Sequence, residues 1–108
     1  YLNRGLVNYN LKLFKESILD FDKVIHQNPN NVEAYENRAI SRATLLKKEA
    51  IDDFNKVVEL KPKDALSYYN RALYFINFKV VGDYCSDLNK AMSLGLTQVK
   101  DLISEKCK

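Results

Sequence analysis

The sequence predicts an all-α protein built as a solenoid of antiparallel helix hairpins. Two short phrases occur three times each along the 108 residues, one around an arginine and one around a lysine. The residues that mark them are Arg4, Arg38 and Arg71, and Lys23, Lys56 and Lys90. Their nearly constant separation is typical of stacked units that bury their apolar faces against one another. The chain has three glycines and two prolines, and this scarcity favours long helices over short strands.

Each unit is predicted to be a pair of helices, because its apolar residues keep helical spacing. In the middle unit the second helix places Ala50, Phe54 and Val57 on one face, and the other units repeat these offsets. Pro29 and Pro62 follow second helices and end them. The seven predicted helices span residues 1–11, 14–27, 31–45, 48–60, 65–79, 83–94 and 97–107, and no strand is predicted.

The repeated positions resemble the tetratricopeptide repeat, whose pattern is W-x2-L-G-x2-Y, then A-x3-F, then P. Tyrosine occupies the tryptophan position in all three units, and a proline closes the first two. The glycine position and the phenylalanine position hold Gly5, Ala39 and Ala72, and Phe21, Phe54 and Leu88, respectively. The third unit departs most from the pattern, since Tyr84 fills a normally small site and Leu96 stands in place of the proline.

The resemblance covers residues 1 to about 95 and implies a right-handed α-solenoid of antiparallel helix hairpins. The expected domains are repeat 1 at 1–30, repeat 2 at 31–63, an atypical repeat 3 at 64–96 and a capping helix at 97–108. The capping helix is expected because one of its faces is apolar, which closes the end of a solenoid. That face carries Val99, Leu102, Ile103 and Cys107.

Tetratricopeptide arrays are interaction scaffolds, so the resemblance implies that this chain holds a partner protein or peptide in a concave groove. Two alternatives stay open. The chain is an accessory or regulatory domain of a longer enzyme, or it is a module that associates with itself through its uncapped N-terminal face. Because the sequence opens inside a repeat unit at Tyr1, we expect it to be a piece of a longer protein.

Composition argues against several other classes of function. The 17 basic and 14 acidic residues are interspersed, and they form no basic stripe of the kind that binds nucleic acid. No apolar run approaches the ~20 residues of a membrane span. One histidine, His26, and two separated cysteines are too few for a metal site, and no catalytic arrangement recurs. We therefore expect no enzyme activity, no cofactor and no metal.

The asparagines of the first helices are the candidate peptide-binding residues. Each lies one position before a repeated arginine, and one position turns a side chain about 100° around a helix, toward the expected concave surface. An amide offers donors and an acceptor to a peptide backbone, and apolar neighbours could form pockets around it. The predicted set is Asn3, Leu6, Tyr9, Asn37, Ile40, Tyr69, Asn70 and Leu73. The alternative is that these asparagines only solvate the groove.

The repeated arginines precede repeated aspartates at a nearly constant spacing. An antiparallel hairpin brings positions at this spacing face to face. The predicted pairs are Arg4 with Asp20, Arg38 with Asp53, and Arg71 with Asp87. In the alternative interpretation the arginines form a ladder that grips an acidic ligand.

Cys85 and Cys107 are placed almost symmetrically about the turn at Gly95 and Leu96. In an antiparallel helix pair they lie at the same level, close enough for a disulfide. The alternative is a pair of buried thiols, since free cysteine is a common core residue. The compartment is unknown from the sequence: a bridge implies an extracytoplasmic location, and its absence leaves a cytoplasmic one open.

Overall fold

The computed structural model describes Arg4, Gly5 and residues 13–107, and this part of the chain contains helices and no strand. Its helices are α1 (Phe14–Gln27), α2 (Val32–Thr44), α3 (Ala50–Leu60), α4 (Ala65–Asn77), α5 (Tyr84–Ser93) and α6 (Lys100–Lys106), with one 3-10 turn at Thr97–Val99. The all-α prediction is confirmed for these residues. The predicted number of seven helices is not confirmed, since six α-helices are described. The predicted helix at 1–11 lies outside the described residues, apart from Arg4 and Gly5, which are helical.

The chain divides into two compact units, Tyr1–Leu60 and Lys61–Lys108. In the first unit α1 packs on α2 and α2 packs on α3. In the second unit α4 packs on α5, and α5 packs on the 3-10 turn and on α6. Short connections join α1 to α2, α2 to α3 and α4 to α5, so these neighbours run antiparallel. The handedness of a superhelix and the division into three repeats stay predictions.

The core of the first unit contains Phe21 and Val24 of α1 packed with Ala34 of α2. Helix packing is close at Gly5, where an added Cβ would lie 2.8 Å from the Phe21 ring. The Ser17 hydroxyl donates a hydrogen bond of 3.0 Å to the Gly5 carbonyl at the same contact. The small residue predicted for this position therefore lets the two segments approach, as expected.

The core of the second unit lies between α4, α5 and the C-terminal segment. Ala72, Leu88 and Val99 are buried together at its centre. The partly buried residues packed around them are Tyr69, Ile76, Tyr84, Leu96, Leu102, Ile103 and Cys107. The apolar face predicted for the C-terminal helix thus packs on the second unit, and Tyr84 takes part in this core.

The helices α2 and α4 end in the same way, at equivalent positions of their hairpins. Leu46 and Lys79 both have left-handed backbone conformations, with φ of 58° and 53°. The next residue in each case donates back to the helix, Lys47 N to Arg42 O at 2.8 Å and Val80 N to Phe75 O at 3.1 Å. These bonds satisfy carbonyl groups that the helix end would leave unpaired.

Candidate functional site

The predicted peptide-binding residues that the structure describes lie on α2 and α4. In the first unit Asn37 is half-buried and Ile40 is exposed; in the second unit Asn70 is exposed and Leu73 is half-buried. The other predicted members Asn3, Leu6 and Tyr9 lie outside the described residues. Each unit therefore presents an asparagine and, three positions later on the same helix face, an aliphatic side chain.

The amides of Asn37 and Asn70 make no hydrogen bond within the part of the chain that the structure describes. Other asparagines are used internally. Asn31 accepts a bond of 3.0 Å from the Ala34 N–H at the start of α2, and Asn89 donates one of 2.9 Å to the Cys85 carbonyl. The two first-helix amides thus keep their donors and acceptors available for a ligand.

Tyr69 differs from the other predicted site residues. Its side chain is half-buried and packs against the cluster of Ala72, Leu88 and Val99. Packing with this cluster gives the tyrosine a structural role that sequence reasoning did not assign. The signal that could have revealed it is its two-turn helical spacing from Ile76, which packs on the same cluster and lies on the same helix face.

All three predicted arginine–aspartate pairs are present. The nitrogen–oxygen distances are 2.8 Å for Arg4–Asp20, 2.7 Å for Arg38–Asp53 and 2.6 Å for Arg71–Asp87. The three carboxylates are buried. A buried carboxylate needs a cation close by, so the arginines hold the hairpins together. The interpretation of these residues as a ladder for an acidic ligand is therefore not supported.

The middle pair belongs to a larger network that the sequence did not predict. Arg38 also donates a 2.7 Å hydrogen bond to Asp22 of α1, and Arg42 donates one of 3.0 Å to Asp53. Burial alone would lower the pKa of the Arg38 guanidinium, but its hydrogen bonds to Asp53 and Asp22 outweigh burial and raise that pKa. Arg38 therefore stays charged and joins three helices of the first unit.

Tyr35 and Tyr68, at the tryptophan position, are each held by the proline six positions earlier. The Tyr35 hydroxyl donates a hydrogen bond of 2.9 Å to the Pro29 carbonyl, and the Tyr68 hydroxyl donates one of 2.8 Å to the Pro62 carbonyl. A guanidinium lies over each ring. The distance from the arginine Cζ to the ring centroid is 5.6 Å for Arg38 over Tyr35 and 5.9 Å for Arg71 over Tyr68. The equal spacing of the two proline–tyrosine pairs was the available signal for this contact.

The hydrogen bond from Arg71 to Asp87 raises the pKa of the Arg71 guanidinium, against the lowering effect of burial. Arg71 therefore stays charged at neutral pH. Arg38 and Arg71 each make an ion pair within their hairpin. They therefore differ from Asn37 and Asn70, the asparagines one position before them, which make no such contact within the described residues.

Cys85 and Cys107 have their Cα atoms 5.7 Å apart, and the structure joins their sulfur atoms in a disulfide. The bond links the first turn of α5 to the residue after α6. Beside the disulfide, the Tyr84 hydroxyl donates a hydrogen bond of 3.3 Å to the Lys106 carbonyl. The dependence of the compartment on this bond stays a prediction.

Within the described residues, no group of three or more histidine, cysteine, aspartate or glutamate side chains could hold a metal ion. His26 is exposed near the end of α1. No helix in the same part of the chain is long and apolar enough to cross a membrane.

Two solved structures have a similar fold. One is described as the MamA RS-1 ArsTM double mutant; it is 24% identical in sequence, with a TM-score of 0.78 over 92% of this chain. The other is described as YrrB, a TPR protein with an unusual peptide-binding site; it is 22% identical, with a TM-score of 0.78 over 94% of this chain.

The chain has the fold of a tetratricopeptide-repeat (TPR) protein. It spans 56% of the MamA chain and 53% of the YrrB chain. No protein-family model and no curated protein matches the sequence. The resemblance to tetratricopeptide repeats is therefore confirmed at the level of the fold.

Proposed function

We propose that this TPR chain is a protein-interaction scaffold that binds an extended segment of a partner protein along its first helices. The binding residues would be Asn37 and Ile40 on α2, and Asn70 and Leu73 on α4. Tetratricopeptide arrays are interaction scaffolds, so the TPR fold of this chain supports a general scaffold role. The description of YrrB as having a peptide-binding site supports a peptide as the ligand.

The observation that carries the proposal is the state of the two asparagine amides. Both units place an asparagine at the same repeat position, and neither amide makes a hydrogen bond within the described residues. The neighbouring arginines, in contrast, are engaged in ion pairs. Ion pairing within the hairpins therefore accounts for Arg38 and Arg71, but no hydrogen bond within the described residues accounts for Asn37 and Asn70.

The chemistry of an amide suits an extended peptide. One asparagine can accept from a peptide N–H and donate to a peptide carbonyl, so it recognises the backbone without reading the side chains. The aliphatic residue three positions later adds apolar contact on the same face. The amide and the aliphatic side chain together give each unit a modest affinity for an extended segment.

The two alternative functions stay predictions. An accessory domain of a longer enzyme would need a catalytic partner that this sequence does not carry. Self-association through the N-terminal face would use residues that lie largely outside the described part of the chain. The free amides on α2 and α4 favour neither of these functions over peptide binding.

The test begins with peptides selected on the protein from a random phage-displayed library. Selected peptides are titrated against the parent chain and against Asn37→Ala, Asn70→Ala and the double variant. Each lost hydrogen bond should weaken binding by about 0.5–1.5 kcal/mol, or roughly twofold to tenfold. The helical circular dichroism spectrum should not change, because neither amide supports the fold.

Gln27→Ala is the matched control. It removes an exposed amide from α1, which is the second helix of the first predicted repeat. It should leave the affinity unchanged. If the double asparagine variant binds as the parent does while Gln27→Ala weakens binding, the ligand lies on the second helices and the proposal is wrong.

A further inference from the structure

A second surface with binding character lies in the Lys61–Lys108 unit, on the side where α4 turns into α5. An open groove of about 390 Å³ is present there. Its lining includes Phe75 of α4, Val80 and Val81 of the connecting turn, and Tyr84 of α5. This groove is separate from the first-helix asparagines and has a different composition.

The turn between α4 and α5 leaves an apolar side chain in water. It is one residue longer than the turn between α2 and α3, and Val81 within it is 99% exposed. The following residue, Gly82, lies so close to the Phe75 ring that an added Cβ would overlap it. The turn therefore packs on Phe75 through Gly82, while the Val81 side chain points into solvent.

Two lysines add positive charge to the same groove. Lys79 and Lys106 both contribute to its lining. Lys79 has no ion pair within the described residues, and Lys106 has one partner, the exposed Glu105, at 3.9 Å. An exposed pair at this distance contributes little. Apolar surface beside largely uncompensated positive charge is complementary to an acidic segment that carries an apolar side chain.

The disulfide fixes one side of the groove. Tyr84 and Lys106 each adjoin one of the bridged cysteines, Cys85 and Cys107. Helix α6, which carries Lys106, contributes no fully buried residue. The disulfide at Cys107 therefore restrains the adjacent Lys106, together with the hydrogen bond from the Tyr84 hydroxyl to the Lys106 carbonyl.

We propose that this groove docks an acidic segment of a partner protein that inserts an apolar side chain against Val81 and Phe75. Lys79 and Lys106 attract the acidic groups of that segment. The disulfide between Cys85 and Cys107 holds Lys106 in position for this contact. The inference is independent of peptide binding by Asn37 and Asn70, because it concerns a different surface of the second unit.

Two synthetic peptides serve as probes in a nuclear magnetic resonance titration of the oxidised 108-residue chain. One has a leucine–phenylalanine pair flanked by glutamates, and the other has lysines in place of the glutamates. The acidic peptide should shift the amide resonances of residues 79–84 and of Lys106. The basic peptide should bind about tenfold more weakly or not at all.

Variants then test each contact. Val81→Asp and Lys79→Glu should each weaken the acidic peptide about tenfold. Val81 is fully exposed, so its replacement leaves the fold unchanged. Lys63→Glu is the matched control, because it makes the same charge change at an exposed lysine of the same unit. Replacement of both cysteines by serine should weaken binding of the acidic peptide if the disulfide positions Lys106.

Several results would overturn the proposal. Equal binding of the acidic and the basic peptide would show nonspecific apolar contact. Shifts centred on Asn70 and Leu73 would place the peptide on the first-helix surface instead. Shifts that depend on protein concentration without peptide would indicate a second copy of the chain as the occupant. Unchanged affinity after cysteine replacement would remove the role assigned to the disulfide.

Discussion

At one repeated helix position the α2–α3 hairpin carries Arg42, and at the equivalent position the α4–α5 hairpin carries Phe75. Arg42 binds Asp53 and extends the ion network of the first unit. Phe75 is buried and supports the turn that contains Gly82. The two hairpins keep the same arginine–aspartate pair, yet the surrounding contacts are ionic in one and apolar in the other.

A second difference reinforces the first. The start of α5 carries Cys85, which is bridged to Cys107, whereas the corresponding position of α3 is Ile51. The repeated residues thus set the hairpin geometry, while the residues that are not repeated decide which interactions stabilise each unit. We therefore expect loss of a buried carboxylate to act most strongly on the first unit, and loss of the disulfide to act on the second.

The largest expected effect is that of Asp53→Ala. The Asp53 side chain is 1% exposed and binds both Arg38 and Arg42, so its removal leaves two partly buried cations without this carboxylate. The free energy of unfolding should fall by about 3–5 kcal/mol in urea titrations followed by helical circular dichroism.

The neighbouring exposed residue provides the control for that change. Asp52→Ala should alter stability by less than about 0.5 kcal/mol, because Asp52 lies on the surface of α3. Asp87→Ala sharpens the comparison and should cost less than Asp53→Ala. An equal or larger loss for Asp87→Ala would show that the extended ion network adds nothing to the first unit.

Loss of the disulfide is the next largest effect. The bond joins residues 22 positions apart, and the chain-entropy estimate for a loop of this size is about 3 kcal/mol. Replacement of Cys85 and Cys107 by serine should lower the protection of α6 amides against hydrogen exchange, with little change in α1–α3. If α6 protection is the same with and without the bond, the disulfide does not distinguish the two units.

The left-handed turn residues test what the two units share. Leu46→Gly and Lys79→Gly should each raise the free energy of unfolding by about 1 kcal/mol, since glycine adopts positive φ without the steric cost of a side chain. Leu46 is 80% exposed, so little packing is lost with its side chain. Leu45→Gly is the control: its φ is −86°, so glycine there should destabilise. Thermal melting measures all three, and a fall in stability for both glycine variants at 46 and 79 would contradict the prediction.

The smallest expected effect concerns the residue that precedes α2 and α4. It is Asn31 in the first unit and Asp64 in the second. Burial would raise the pKa of Asp64, but its bonds with the Ser67 hydroxyl and the Lys61 ammonium outweigh burial and lower that pKa below 3.8. A lowered pKa in the folded state means that the carboxylate stabilises the fold above pH 3.8 and that this contribution is lost as the pH falls through the folded value.

Asp64→Asn should therefore cost about 0.5 kcal/mol at neutral pH, the low end for one hydrogen-bonded group. The difference between variant and parent should disappear in acid, once Asp64 of the parent is protonated. Urea titrations at neutral and acidic pH make the measurement. A difference that persists unchanged in acid would mean that the charge of Asp64 has no stabilising role.

The helices and the three ion pairs could be predicted because their signal is repeated along the chain. The helix predicted at 14–27 is Phe14–Gln27, and the one predicted at 48–60 is Ala50–Leu60. The pairing of Arg38 with Asp53 followed from the recurrence of both residues at nearly constant spacing. Such joint recurrence reports a contact that every unit makes.

The contacts that occur once could not be predicted in this way. Arg42 and Asp22 join the ion network, but their counterparts in the next predicted repeat are Phe75 and Asn55, so no recurrence marks them. The packing of Tyr69 on the cluster with Val99 depends on a C-terminal segment that is present once. For the candidate site, the asparagines could be proposed from the sequence. Only the structure shows that the amides of Asn37 and Asn70 make no hydrogen bond within the described residues.

Site-specific photo-crosslinking tests the central proposal most directly. A photoreactive phenylalanine derivative is placed at Ile40 on α2 or at Leu19 on α1, two exposed aliphatic positions of the first unit. Each protein is irradiated with a library-selected peptide, and crosslinked peptide is measured by mass spectrometry. Binding along the first helices predicts crosslinking from position 40 and none from position 19. Crosslinking from position 19 alone would contradict the proposed surface.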